Sequence, residues 1–220
     1  MSSKYERELR QVLAGLTKGV NSIIKSCNEV EKANMRLIEK RPFLVVRAAG
    51  SGIEGSGDLL ALRGDTCFPI EVKSSKEAKL YLSGRTVEQY NSLVYEGNRS
   101  CLMPLYAYRL KGVRGDSWRI FRVETETLHG KLRKLEPAIP SLPLTRNGKP
   151  YLNWEDGLPL NEFIALVCSQ VNLHDDNLKH LQERGNTITG YINNDRLSNN
   201  REIHKQPKRN ILAELKKRKR

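Results

Sequence analysis

The chain has 220 residues and a formal net charge of +13. That length allows one domain of ordinary size plus an appendage, with a core that does not depend on disulfides. The charge points to a polyanionic partner.

The charge is unevenly placed. Residues 1–128 carry 21 basic and 15 acidic side chains, residues 129–204 carry nine of each, and residues 205–220 carry eight basic and one acidic. The partner is therefore expected to meet the first segment and the tail. Cys27, Cys67, Cys101 and Cys168 form no Cys-x-x-Cys pair, so neither a zinc site nor a redox motif is indicated. Reduced thiols, an N-terminus without an apolar core and no bilayer-length apolar run lead to the expectation of a soluble cytoplasmic protein with no membrane partner.

Residues 3–16 read as an amphipathic helix. Ser3 and Glu6 have capping-box spacing, and Tyr5, Leu9, Val12, Leu13 and Leu16 form an apolar stripe. Glu6 falls on the flank of that stripe, facing the rim of the core. Gly15 and Gly19 interrupt the pattern. Residues 21–40 read as a second helix or a prolongation of the first, with Asn34 breaking the apolar series and Pro42 beyond its end.

Residues 43–47 read as a short buried strand. The loop that follows, residues 48–57, is rich in glycine and serine, and its backbone could approach a phosphate closely. It lacks the Gly-Lys-Ser/Thr ending of a P-loop. Asp58 then opens the apolar run Leu59-Leu60-Ala61-Leu62. Thirteen residues after Asp58, Glu71 and Lys73 stand inside Phe68-Pro69-Ile70-Glu71-Val72-Lys73. Two strands turning near Arg63-Gly64-Asp65 would put Phe68, Ile70 and Val72 on one face and Glu71 and Lys73 on the other. Asp58, Glu71 and Lys73 would then converge. Two hard oxygen ligands suit Mg²⁺, and a lysine beside them can orient an attacking water or stabilise charge on a phosphate. Charged and apolar residues also alternate along any half-exposed strand, so this spacing alone leaves a purely structural reading open.

A helix is expected over residues 86–95. Strands are expected over 102–110 and 118–123, joined by a glycine-rich turn. The order of elements implies a central mixed sheet. Residues 136–150 hold four prolines and read as a linker or extended arm, followed by a short helix over 161–168. Residues 175–205 are polar and 211–220 end in Lys216-Lys217-Arg218-Lys219-Arg220, a weakly ordered basic extension. The expected division is a main domain over 1–135 with 21–40 as an extra helical segment, a proline-rich arm with a short helix over 136–170 and a tail over 171–220.

Several blocks occur in a recognisable order: Tyr5-Glu6-Arg7-Glu8-Leu9, Val45-Val46-Arg47-Ala48-Ala49-Gly50-Ser51, Asp58, Ile70-Glu71-Val72-Lys73, Leu80-Tyr81-Leu82 and Trp118-Arg119. Together they resemble the archaeal Holliday junction resolvases of the PD-(D/E)xK nuclease superfamily, over residues 4–128. The resemblance implies an α/β fold, with a restriction-endonuclease-like mixed five-stranded sheet flanked by helices. It implies that Glu6, Asp58 and Glu71 are metal ligands, joined by the Val72 carbonyl, and that Lys73 is the catalytic lysine. Ser51 matches a loop serine near the scissile strand. Arg7 and Arg47 match phosphate-contacting positions, and Lys76 and Arg85 are expected among the nucleic-acid contacts. Mg²⁺, with Mn²⁺ as a substitute, is the implied cofactor. Branched DNA is the implied substrate, and a homodimer placing paired symmetric nicks is the implied assembly.

The sequence departs from the family in three places. About twenty-five extra residues separate the first helix from the first strand. Gly57 replaces the superfamily proline, and Pro69 falls in the strand that carries Glu71, where it cannot donate a ladder hydrogen bond. Two other readings of the same residues are a nuclease of different substrate choice on this core and a non-catalytic basic nucleic-acid-binding protein. The intact carboxylates and lysine argue against the second.

Overall fold

The computed structural model describes residues 4–48 and 57–169. The expected Ser3 cap, Ser51 with its loop, and the basic extension lie outside the described residues.

Three helices come first: α1 (Lys4–Leu13), α2 (Thr17–Ile24) and α3 (Glu29–Lys40). The expectation of one helix over residues 21–40 is corrected. The chain breaks before Asn28, whose side chain accepts from the Glu31 N–H while the Glu31 carboxylate accepts from the Asn28 N–H. This reciprocal cap makes residue 28 a helix start. Asn34, expected as the break, sits inside α3 and donates to Asn161 Oδ1 at 3.1 Å.

The main sheet contains β1 (Leu44–Arg47), β2 (Leu59–Arg63), β3 (Thr66–Ser75), β5 (Leu105–Leu110), β6 (Trp118–Arg122) and a two-residue β8 (Leu158–Pro159), in the spatial order β1-β2-β3-β5-β6-β8. It is a mixed sheet: only β3 and β5 run parallel. A parallel neighbour needs a crossover, which here includes α4 (Arg85–Ser100). The hairpin between β2 and β3 turns at Gly64-Asp65, with Gly64 at φ 58° in the first loop position, where a side chain would be strained. The expected five strands are all present, and β8 adds a sixth. Strand β1 is not buried as expected. It is the sheet's edge, with Leu44 68 % and Val46 46 % exposed, while Phe43 before it is buried and Val45 packs half-buried on the core.

Period-two alternation divides the sheet's side chains between two cores. Phe68, Ile70, Leu105, Ala107, Trp118 and Ile120 meet α1, α2, α3 and α6 (Leu160–Ser169) on one face. Tyr106, Tyr108 and Phe121 meet α4 residues Val87, Tyr90, Leu93 and Val94 on the other. A two-stranded ribbon, β4 (Lys79–Tyr81) with β7 (Tyr151–Asn153), contributes Leu80 and Leu152 to that second core.

The proline-rich segment does not extend away from the sheet. A short helix, α5 (Gly130–Leu135), precedes it and buries Leu132 and Leu135. Ile139 and Leu142 are buried, and the Arg122 N–H donates to the Pro140 carbonyl at 2.8 Å. Helix α6 is then fixed by Asp116, whose Oδ2 accepts from both the backbone and the side-chain amide of Asn161 at 2.7 and 2.9 Å. Residues 136–169 thus pack on the same cores as the strands.

Candidate active site

Asp58 is positioned by three contacts, two to β3 and one to Ala48 just beyond β1. Its N–H donates to the Ile70 carbonyl at 2.8 Å, and its carbonyl accepts from the Ala48 N–H at 3.0 Å. Its Oδ2 accepts from the Val72 N–H at 2.8 Å. The approach depends on Gly57, which has φ 68° and where a Cβ would stand 2.6 Å from the Ile70 oxygen. Only glycine fits there, which accounts for the missing superfamily proline at this position.

Glu71 and Lys73 lie on the α4 face of β3, opposite to Ile70 and Val72. Glu71 is buried, and its Oε1 accepts from Lys73 Nζ at 2.7 Å. The same ammonium donates to Oε1 of Gln89 on α4 at 2.9 Å. Lys73 is therefore clamped between its own strand and the crossover helix. Gln89 was not singled out by sequence reading. Its signal is positional: a polar side chain one turn into the helix that must cover the face carrying Glu71 and Lys73.

The electrostatics match the geometry. Burial first, then the neighbouring charge of Glu71, push the Asp58 carboxyl up to about 6, with Glu6 adding to the rise. The Val72 hydrogen bond and Lys73 act in the opposite direction. Glu6, on α1, lies 3.6 Å from the Arg47 guanidinium on β1. Helix α1 is itself anchored through Glu8, which accepts from Arg109 Nε and Trp118 Nε1, both at 2.9 Å. That anchor sets the rotation at which Glu6 is presented.

Two of the three expected ligands, Asp58 and Glu71, thus come together beside Lys73, with Glu6 at the rim within electrostatic reach. Among the described residues, no group of three or more His, Cys, Asp or Glu side chains gathers to hold a metal ion. Two carboxylates still fit Mg²⁺, which keeps several waters and uses one or two protein carboxylates. The Tyr106 hydroxyl supports that fit. Tyr106 stands beside Glu71 in the β3–β5 register, and its buried oxygen has no hydrogen-bond partner among the described residues. Burial, and after it the charges of Glu71, Tyr90 and Asp58, push its phenol far above the usual range. A hydrated cation beside the carboxylates would give this orphan hydroxyl a partner.

The other expected contacts fall around this cluster. Arg7 is exposed on α1, Lys76 is exposed just after β3, and Arg85 is exposed at the first turn of α4. Arg47 is partly exposed beside Glu6. No helix among the described residues is long and apolar enough to cross a membrane.

Residues 22–134 match the family described as archaeal Holliday junction resolvase (Hjc). The matched span contains Arg47, Ser51, Asp58, Glu71, Lys73, Lys76 and Arg85, and begins after Glu6 and Arg7. The chain is 33 % identical, over 107 residues, to the crossover junction endodeoxyribonuclease Hjc of Archaeoglobus fulgidus, covering 48 % of this chain and 74 % of that protein. A solved structure of Archaeoglobus fulgidus Hjc, titled as a Holliday junction resolvase from an archaeal hyperthermophile, has 25 % identity and a TM-score of 0.39, covering 61 % of this chain and 97 % of that one.

Proposed function

The chain belongs to the archaeal Holliday junction resolvase family, and we propose that it is a Mg²⁺-dependent endodeoxyribonuclease that resolves four-way DNA junctions by paired, symmetric nicks. The observation that carries this reading is the meeting of Asp58, Glu71 and Lys73 on one side of the β2–β3 pair, with Lys73 Nζ held at 2.7 Å from Glu71 and 2.9 Å from Gln89.

Asp58 and Glu71 would hold the Mg²⁺, with Mn²⁺ able to substitute, joined by the Val72 carbonyl and by Glu6 from α1. Bound there, the cation would polarise the scissile phosphate and neutralise charge in an in-line displacement by water. Lys73 directs a fixed positive charge at the phosphate or orients the attacking water. Because Glu71 and Gln89 hold the ammonium before substrate arrives, little reorganisation is needed at the moment of reaction. Arg47 and Arg7 contact backbone phosphates near the first acidic residue. Lys76 and Arg85 extend the contact toward α4, and Ser51, outside the described residues, is assigned to the scissile strand by its match to the family's loop serine alone.

Junction selectivity follows from shape rather than base reading. A two-fold homodimer presents two such sites at a fixed spacing, which a four-way junction can match and a single duplex cannot. The test is incubation of the purified protein with a synthetic four-way junction, matched duplex and single strand, with and without Mg²⁺. Cleavage confined to the junction, requiring the cation and giving paired nicks, is expected. Equal cleavage of duplex would overturn the junction preference, and cleavage undiminished by chelator would overturn the metal site.

A further inference from the structure

The β4–β7 ribbon carries a feature that the cleavage chemistry does not use. Tyr81 and Tyr151 stand opposite each other in its register, with ring centroids 5.4 Å apart and planes inclined by 28°. Leu80 and Leu152, between them in the alternation, face the second core, so the tyrosines share the ribbon's solvent face with Lys79. A cross-strand aromatic pair braces a ribbon, yet Tyr81 remains 60 % exposed, which bracing alone does not require. The surrounding charge is positive: over residues 76–85, Lys76, Lys79 and Arg85 face the single acid Glu77, and all three cations are exposed.

The ribbon is also close to the candidate site along the chain, and the segment leading into it is tied to β5 by the Tyr108 hydroxyl, which donates to the Glu77 carbonyl. Lys79 follows Lys73 by six residues, and Tyr81 precedes Arg85 by four. Arg85 and Gln89 are one turn apart on the same side of α4, and Gln89 holds Lys73. A DNA strand whose phosphate lies at Lys73 would therefore have Arg85, Lys79 and the tyrosine pair next along its path. Cations that follow a backbone, with an exposed aromatic stack beside them, make a platform for an unstacked base, because every base offers a π face. Fully paired duplex offers no such face except at its ends. The branch point of a junction does.

We propose that Tyr81 and Tyr151 form a stacking platform for an unstacked nucleobase at the branch point of the DNA substrate. This rests on the junction-cleaving reading above. Tyr151 lies beyond the span matched to the family, so half of the platform is contributed by this chain's own later segment.

The experiment uses the full-length chain, without metal, and a four-way junction carrying 2-aminopurine at the branch point. Wild type should bind the junction with a change in 2-aminopurine fluorescence. Tyr81→Ala and Tyr151→Ala should each weaken junction affinity on the order of tenfold and remove that change, while duplex affinity stays at the wild-type value. Tyr81→Phe and Tyr151→Phe keep the ring and should behave as wild type. Alanine variants with wild-type affinity and fluorescence would overturn the platform. So would equal losses for junction and duplex accompanied by a lowered melting temperature, which would make the pair a structural brace. A wild type that binds duplex as tightly as junction would instead overturn the junction reading itself, whatever the tyrosine variants do.

Discussion

Asp58 is a carboxylate held where its charge is costly. Burial and Glu71 raise its pKa to about 6, above the value of the unfolded chain. A raised acid of this kind stabilises the fold fully at pH below about 4 and loses that contribution as pH rises through about 6. The metal-free protein is therefore expected to lose stability over that window. Asp58→Asn keeps an oxygen to accept from the Val72 N–H but removes the charge. Without metal at pH 8 it should be the more stable protein by about 1–2 kcal/mol, allowing for partial exposure of the site. Denaturant melts at pH 8 and pH 4 check this, with the difference closing at the lower pH. The same variant should cut junctions about a thousandfold more slowly or worse, while binding them as well as wild type. Wild-type turnover by Asp58→Asn would remove Asp58 from the site.

Lys73 and Gln89 make a second test at the residue scale. Lys73→Ala should slow cleavage on the order of a hundredfold or more, the usual loss for one transition-state charge contact. Gln89→Ala should slow it roughly tenfold, by leaving the ammonium held from one side only. In a double-mutant cycle the Gln89 effect should vanish when Lys73 is already absent, because Gln89 acts through that ammonium. Additive effects in single-turnover rates would separate the two residues.

At the scale of elements, the buried network of Asp116 decides how the later segment joins the fold. Its carboxylate accepts from Asn161 twice and from the Trp118 N–H, and Asn161 in turn accepts from Asn34 of α3. The Asp116 and Asn161 side chains together thus link α3, α6 and the start of β6. Asn161→Ala leaves the Asp116 oxygen short of a partner and should cost about 1–3 kcal/mol of stability, read by thermal or denaturant melts. Cleavage per folded molecule should be unchanged, because the network lies on the face of the sheet opposite Glu71 and Lys73. A drop in folded-state activity would show that α6 transmits to the site.

At the scale of the whole molecule, the basic end and the proposed dimer each give a test. Residues 205–220 carry eight basic side chains and one acidic. Deleting them should weaken junction and duplex binding by similar factors and flatten the dependence of affinity on salt. Cleavage at saturating junction should persist. A deletion that removed only junction preference would instead make the tail a structure-specific element. Sedimentation of the active protein should give a dimer, and nicks on one junction should appear in pairs; a monomer with full activity would contradict the paired-site reading.

The sequence by itself determined the elements whose signal is local. The β2–β3 hairpin at Gly64, the split of Ile70 and Val72 from Glu71 and Lys73, and the order helix, strands, helix, strands follow from alternation and turn chemistry that neighbouring residues carry. The helix start at Asn28 was equally local, in the Asn28-to-Glu31 spacing, but the apolar periodicity of residues 21–40 hid it. Other features depended on what lies across space. Gln89 meets Lys73 only because α4 is the crossover between two parallel strands. The exposure of Leu44 and Val46 follows from β1 lying at the sheet edge, which an apolar run cannot announce. The four prolines read as an arm because proline opposes helix and ladder. The segment packs nonetheless, because β6 accepts it through Arg122, and Asn161 finds Asp116 forty-five residues earlier. Contacts at such separations carry no local signature in the chain, so only the tertiary structure could decide them.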